Sequence, residues 1–156
     1  MQGNLDRLAG VAAIIVSDAT EHDSAFADLR TANASVSGIE WLGWRDIEDT
    51  WVAHCNDLLA RASTSMFMWL PHDDEIDRDC LVEAVAALAA RPDAVLALGV
   101  VDAIEEPDGR LAWSKRLPDA FGDADQTRRL RAAGAALAFD GAALGIAFRG
   151  VVRRER

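Results

Sequence analysis

The chain has 156 residues, of which 51% are hydrophobic and 27% are charged, a composition typical of a globular domain. Its formal net charge of −10 would repel a polyanion over most of the surface, so we expect no nucleic-acid partner. No apolar run approaches the roughly 20 residues that a membrane-spanning helix needs. Cys55 and Cys80, the only cysteines, match neither a disulfide framework nor a zinc pattern. We therefore expect one soluble domain over residues 1–156, with reduced thiols, in the cytoplasm. The use of one lysine against fifteen arginines is typical of a GC-rich bacterial genome.

The first part of the chain predicts two strands and two helices. Unbroken apolar runs indicate strands that are covered on both faces, and apolar residues three and four apart indicate helices. In order, we predict a short lead-in at Leu5–Gly10, a strand at Val11–Val16, a helix capped by Asp23, a strand at Ile39–Leu42, and a helix from Trp51 capped by Asp49 or Thr50.

The second part continues the alternation. In order, we predict a strand at Met66–Leu70, a helix at Cys80–Ala90, a strand at Ala94–Ala103, a hairpin turn at Glu106–Gly109, a helix at Thr127–Ala138 and a last strand at Ile146–Val152. Alternating strands and helices favour an α/β three-layer sandwich with a mostly parallel sheet. In this sheet Met66–Leu70 would be central, flanked by Val11–Val16 and Ala94–Val101.

Acidic residues follow the predicted central strand directly. The apolar run stops at Pro71 and gives way to His72, Asp73, Asp74 and Glu75. Open α/β sheets keep their ligand sites at the carboxyl ends of strands, and carboxylates are the ligands that Mg²⁺ and Mn²⁺ take beside substrate phosphates. The alternative is that these acids only solvate the loop and favour the dipole of the next helix.

The segment Met66–Val101 resembles the central part of family-2 glycosyltransferases. It shares with them an apolar strand, an acidic motif, a helix and the Pro-Asp turn before another strand. The resemblance implies a GT-A fold, of the nucleotide-diphospho-sugar transferase type, a nucleotide-sugar donor and a Mn²⁺ or Mg²⁺ cofactor. It implies that Asp73 ligates the metal and that Asp74 lies beside it in the cofactor site. The acceptor and the catalytic base are not assigned to any residue.

The same resemblance extends more weakly to two residues nearer the N-terminus. Asp18, after the strand Val11–Val16, matches an aspartate that meets the nucleotide, although a turn-capping role suits it nearly as well. Asn56 matches a helix position of the family, but Cys55 replaces the arginine beside it. Pro71 replaces the first aspartate of the acidic motif. The family's opening strand has no counterpart, so we expect a core trimmed at its ends.

Two other functions compete with the transferase. One is a non-catalytic relic of the same fold that binds a sugar or a protein partner. The other is a metal phosphohydrolase built on the His72-Asp73 doublet, which would require an all-helical fold. We expect the three histidines, His22, His54 and His72, to be surface or capping residues rather than a zinc site.

Overall fold

The computed structural model describes residues 1–18, 24–43, 50–105, 107–116, 122–139 and 150–154; of Ser24, Trp51 and residues 133–139 it describes the backbone alone. Contacts divide the chain into two compact units. The first unit comprises Met1–Thr64 with Pro71–Arg78, and the second comprises Ser65–Leu70 with Asp79–Arg156. Within the described ranges no helix has the length and apolar character needed to cross a membrane.

The first unit is a βαβ arrangement with a helix before it and a helix after it. Its elements are α1 (Gln2–Leu8), β1 (Ile14–Ser17), α2 (Ser24–Ala32), β2 (Ile39–Leu42) and α3 (Trp51–Arg61). Strands β1 and β2 pair in parallel, from Ile14 opposite Ile39 to Ser17 opposite Leu42. The chain enters β2 through Gly38, whose φ of 85° lies in the left-handed region that favours glycine.

Apolar side chains from four segments form the core of the first unit. The buried residues are Leu5 and Leu8 of α1, Val16 of β1, Leu42 of β2 and Ile76. Phe26 of α2 packs edge to face on Trp41 of β2, with ring centroids 5.7 Å apart. Because α1 and Ile76 both contribute to this core, the N-terminal helix and the segment Pro71–Arg78 belong to one packed structure.

Polar contacts fix the helices of the first unit. The Asn33 side chain, at the end of α2 and 3% exposed, exchanges hydrogen bonds of 3.0 and 2.7 Å with the Gln2 amide. The Thr50 hydroxyl accepts from the Ala53 N–H at 3.2 Å and so caps α3, as predicted. The predicted caps Asp23 and Asp49 lie outside the described residues, and the helices that follow them are both present.

The second unit contains two antiparallel sheets. Its elements are β3 (Met66–Phe67), α4 (Arg78–Ala90, from Asp79 onward), β4 (Leu96–Ala97), β5 (Val101–Glu105), β6 (Arg110–Lys115), α5 (Gln126–Phe139) and β7 (Val151–Arg153). Strand β7 lies between β3 and β4 and runs antiparallel to both. Strands β5 and β6 form the predicted hairpin, which turns through Gly109 at a φ of 67°. The predicted helices α4 and α5 are also confirmed, with ends within two residues.

Arg153 of β7 closes the carboxyl end of α4. Its guanidinium donates to the carbonyls of Leu88, of Arg91 at 3.3 Å and of Ala94 at 3.1 Å. The last carbonyls of a helix have no partner within the helix, and a cation beside them also complements the helix dipole. One side chain therefore satisfies backbone acceptors at the helix end and in the turn after it.

The predicted three-layer sandwich with a mostly parallel sheet is wrong. Among the described residues the strands form three small sheets, and only β1 with β2 is parallel. The run Met66–Leu70 pairs over two residues, and its direct partner is the antiparallel β7 rather than β1 or β4. The run Ala94–Ala103 divides into β4 and β5 around Gly99, where a Cβ atom would meet the Cys80 Sγ at 2.7 Å.

We predict that Arg153→Ala lowers the free energy of unfolding by about 2–3 kcal/mol, because carbonyls at the end of α4 lose a charged donor. Arg131→Ala is the control, since Arg131 is an exposed residue of α5 and its loss removes the same charge. The control should stay within about 0.5 kcal/mol of the original chain in urea denaturation. Equal losses for both variants would show that charge, and not the helix cap, is responsible.

Candidate acidic loop site

The segment Pro71–Ile76, called the acidic loop below, presents its first acidic side chain at the tip of a β-turn. The Asp74 N–H donates to the Pro71 carbonyl at 3.2 Å, which places His72 and Asp73 at the two central turn positions. Their side chains are 80% and 72% exposed, with His72 Nδ1 at 4.0 Å from the Asp73 carboxylate. The turn therefore offers the Asp73 carboxylate to solvent without burying it.

The Asn4 side chain fixes the other half of the acidic loop. Its Nδ2 donates to the Asp74 carbonyl at 2.7 Å, and its Oδ1 accepts from the Ile76 N–H at 3.2 Å. Asn4 is 5% exposed and Ile76 is 9% exposed, so the bond between them is shielded from water, and the bond to the half-buried Asp74 is shielded in part. An unpaired buried amide is costly, and this arrangement avoids that cost by pairing the Asn4 amide with the loop backbone.

Helix α1 brings a second residue to the acidic loop. Arg7 stands three positions after Asn4, a spacing that puts the two side chains on neighbouring parts of one helix surface. The Arg7 guanidinium forms a 2.9 Å ion pair with the Glu75 carboxylate. The side chains are 42% and 76% exposed, so solvent screens the pair and its contribution to stability is small.

The sequence prediction missed this helix. Leu5–Gly10 was expected to be a lead-in, whereas α1 spans Gln2–Leu8. The signal for it was the pair Leu5 and Leu8, whose three-residue spacing matches a buried helical face. Two apolar positions are too few to establish a period, and nothing in the sequence indicates that Asn4 reaches a loop about seventy residues away.

The predicted site residues lie on three segments of the first unit. Asp73 and Asp74 are in the acidic loop, where Asp74 is half-buried and uses its backbone N–H and carbonyl within the loop structure. Asp18 follows β1, as predicted, and its N–H donates to the Leu42 carbonyl at 3.1 Å. Asn56 is exposed on α3. The neighbouring Cys55 is partly buried, and this burial raises the pKa of its thiol above the ordinary value.

Two buried polar atoms of the first unit have no hydrogen-bond partner in the described part of the chain. They are the Ser17 Oγ, at the end of β1, and the His54 Nδ1, on α3. His54 is 9% exposed, so the expectation of a surface or capping histidine is wrong for it, and His22 lies outside the described residues. Buried polar atoms are nearly always paired, and a bound water or a ligand hydroxyl would satisfy these two.

The described residues do not form a cage for a resident metal ion. No group of three histidine, cysteine or acidic side chains in the described ranges is placed to hold one. Mg²⁺, however, is often held by one or two carboxylates together with substrate phosphates and water. The exposed Asp73 carboxylate fits a cation that arrives with a diphosphate.

Comparison of the chain with protein-family models, with characterised proteins and with solved structures finds no match.

We predict that Mn²⁺ alone binds weakly, with a dissociation constant of about 10⁻³ M or higher, because Asp73 supplies a single carboxylate and the other ligands must come from elsewhere. Calorimetric titration of the metal-free chain without nucleotide measures this constant. A micromolar value would contradict the prediction, since it requires several protein ligands held ready around the ion.

Proposed function

We propose that the chain is a glycosyltransferase-like domain that transfers a sugar from a nucleotide-sugar donor, with Mn²⁺ or Mg²⁺ carried on the diphosphate and held by Asp73. The observation that carries the proposal is the acidic loop, which combines an exposed carboxylate at a turn with a backbone fixed by Asn4. The resemblance of Met66–Val101 supplies the reaction class. The proposal does not depend on the GT-A fold, which the observed sheets contradict.

The reaction is a displacement at the anomeric carbon of the donor sugar. An acceptor oxygen forms a bond to that carbon while the bond from the carbon to the diphosphate oxygen breaks, and the acceptor proton passes to a general base. When bound, the cation would stabilise the negative charge that develops on the leaving diphosphate. Asp73 would hold the phosphate end of the donor through the cation, and Asp74 would lie beside Asp73.

Because the chain is negatively charged, the proposed binding of an anionic donor requires a cation. A net charge of −10 repels an anionic donor, and the described carboxylates of the loop would add to this repulsion. A divalent cation between the loop and the diphosphate reverses the sign of the local field. As the family resemblance implies, Asp18 and Asn56 would belong to the part of the site that binds the nucleotide. Cys55 and Cys80 form no disulfide, which suits the cytoplasm as the proposed compartment.

One alternative is a non-catalytic domain that binds a sugar or a protein partner. The observation in its favour is that no three-residue metal group occurs in the described ranges. Metal-dependent nucleotide binding without release of nucleoside diphosphate from any donor would favour this alternative. The His72-Asp73 phosphohydrolase is less well supported, because strands occur in both units and that function required an all-helical fold.

We predict that Asp73→Ala and Asp73→Asn each weaken Mn²⁺-dependent UDP binding at least tenfold, because the neutral side chains no longer attract a hard divalent ion. If the original chain turns over a nucleotide-sugar donor, the rate of turnover should fall in the same variants. Glu83→Gln is the matched control, since Glu83 is an exposed acid of α4 and the variant removes one charge. NMR titration with UDP and Mn²⁺, repeated with EDTA, measures the change.

The competing role of Asp73 gives a different result. A carboxylate that only favours the dipole of the next helix would cost about 0.3–1 kcal/mol of stability when neutralised and would leave UDP binding unchanged. Thermal denaturation of the same variants separates these outcomes. Lost stability with unchanged binding would refute the assignment of Asp73.

A further inference from the structure

We infer that Asn4 is a positioning residue for the cation site at Asp73, an inference that rests on the proposed function. Asn4 contacts neither the proposed cation nor the donor. It acts through the backbone of the acidic loop, so that α1 belongs to the binding site although it supplies no ligand.

The two hydrogen bonds of Asn4 have the pattern of a strand partner. Its amide donates to the carbonyl of Asp74 and accepts from the N–H of Ile76, the two backbone groups on either side of Glu75. A residue in a neighbouring parallel strand makes this same pair of bonds, one to the residue before and one to the residue after its partner. The Asn4 side chain thus holds the chain around Glu75 as a strand would, at a place where no strand of the described chain pairs with it.

Asp74 connects the hydrogen bonds of Asn4 to the turn that carries Asp73. Its N–H closes the turn by donating to the Pro71 carbonyl, and its own carbonyl accepts from Asn4. The peptide groups on both sides of Asp74 are therefore held. Since Ile76 is anchored in the core, the loop is restrained on the carboxyl side of Asp73 by burial as well as by hydrogen bonds.

A restrained loop binds a cation and diphosphate more tightly than a free one, because less conformational entropy is lost on binding. Removing a residue that orients a metal ligand without binding the metal typically lowers the affinity for the metal by about 10–100-fold. Asn4 is suited to this role and Arg7 is not, because one Asn4 bond is buried and the other is part-buried, whereas the Arg7 ion pair with Glu75 is exposed to solvent and screened.

The test compares Asn4→Ala and Asn4→Asp with Asn33→Ala. Asn33 is a matched control: it is a buried amide of the same unit, 3% against 5% exposed, and its hydrogen bonds go to Gln2 and to the Leu29 carbonyl rather than to the acidic loop. Asn4→Asp keeps the size of the side chain and the oxygen that accepts from the Ile76 N–H. It replaces the NH₂ donor with an oxygen, so the bond to the Asp74 carbonyl is lost. Asn4→Asp is the variant to test if Asn4→Ala does not fold.

Two readouts are taken at a temperature where every variant is folded. The first is Mn²⁺-dependent UDP affinity, which we expect to fall about tenfold or more in both Asn4 variants and to change less than twofold in Asn33→Ala. The second is hydrogen exchange of the Ile76 amide, which we expect to accelerate at least tenfold in Asn4→Ala relative to Asn33→Ala, because only the former removes the acceptor of that amide.

The results separate the inference from the function on which it rests. Absence of Mn²⁺-dependent UDP binding by the original chain would overturn the proposed function, and the positioning role with it. Binding that depends on Asp73 but is equally strong in the Asn4 and Asn33 variants would overturn the positioning role alone. Unchanged Ile76 exchange in Asn4→Ala would also overturn it.

Discussion

The side chain of Asn4 joins α1 to the acidic loop, because its amide pairs with the Asp74 carbonyl and the Ile76 N–H. This contact depends on α1 being folded and packed, which Leu5 and Leu8 ensure by lying in the core of the first unit. The exposed position of Asp73 depends in turn on the loop conformation. The apolar face of a seven-residue helix thereby sets the geometry of a carboxylate about seventy residues later in the sequence.

The second unit uses a polar side chain in a comparable way. Arg153 donates to carbonyls at and after the end of α4, and the N–H of the same residue donates to the Val95 carbonyl at 2.9 Å. Strand β7 is three residues long, and its neighbours β3 and β4 each contribute two. Sheets of this size pair few backbone groups. In each unit one side chain, the buried Asn4 or the half-buried Arg153, pairs with backbone groups that the small sheets leave unpaired.

Helices α2 to α5 and the β5–β6 hairpin were predictable from local signals, whereas α1 and the pairing of the other strands were not. Thr50 and the apolar spacing after it identify α3, and the hairpin turn is fixed by the residues around Gly109, whose positive φ glycine adopts without strain. An apolar run indicates burial but carries no information on which strand pairs with it or in which direction. Met66–Leu70 was assigned to the centre of a parallel sheet for this reason, and the antiparallel pairing with β7 could not be read from either run.

The candidate site was predictable only in its chemistry. The acids after Pro71 and the strand before them are visible in the sequence, whereas the restraint on the loop comes from Asn4, a residue with no local signal.

X-ray diffraction from crystals grown with UDP and Mn²⁺ tests the central claim most directly, because the anomalous scattering of manganese locates the ion. The account predicts an anomalous peak within bonding distance of the Asp73 carboxylate and of a diphosphate oxygen, with Asn4 still bound to the loop backbone. Manganese and UDP bound at a different place on the chain would contradict it.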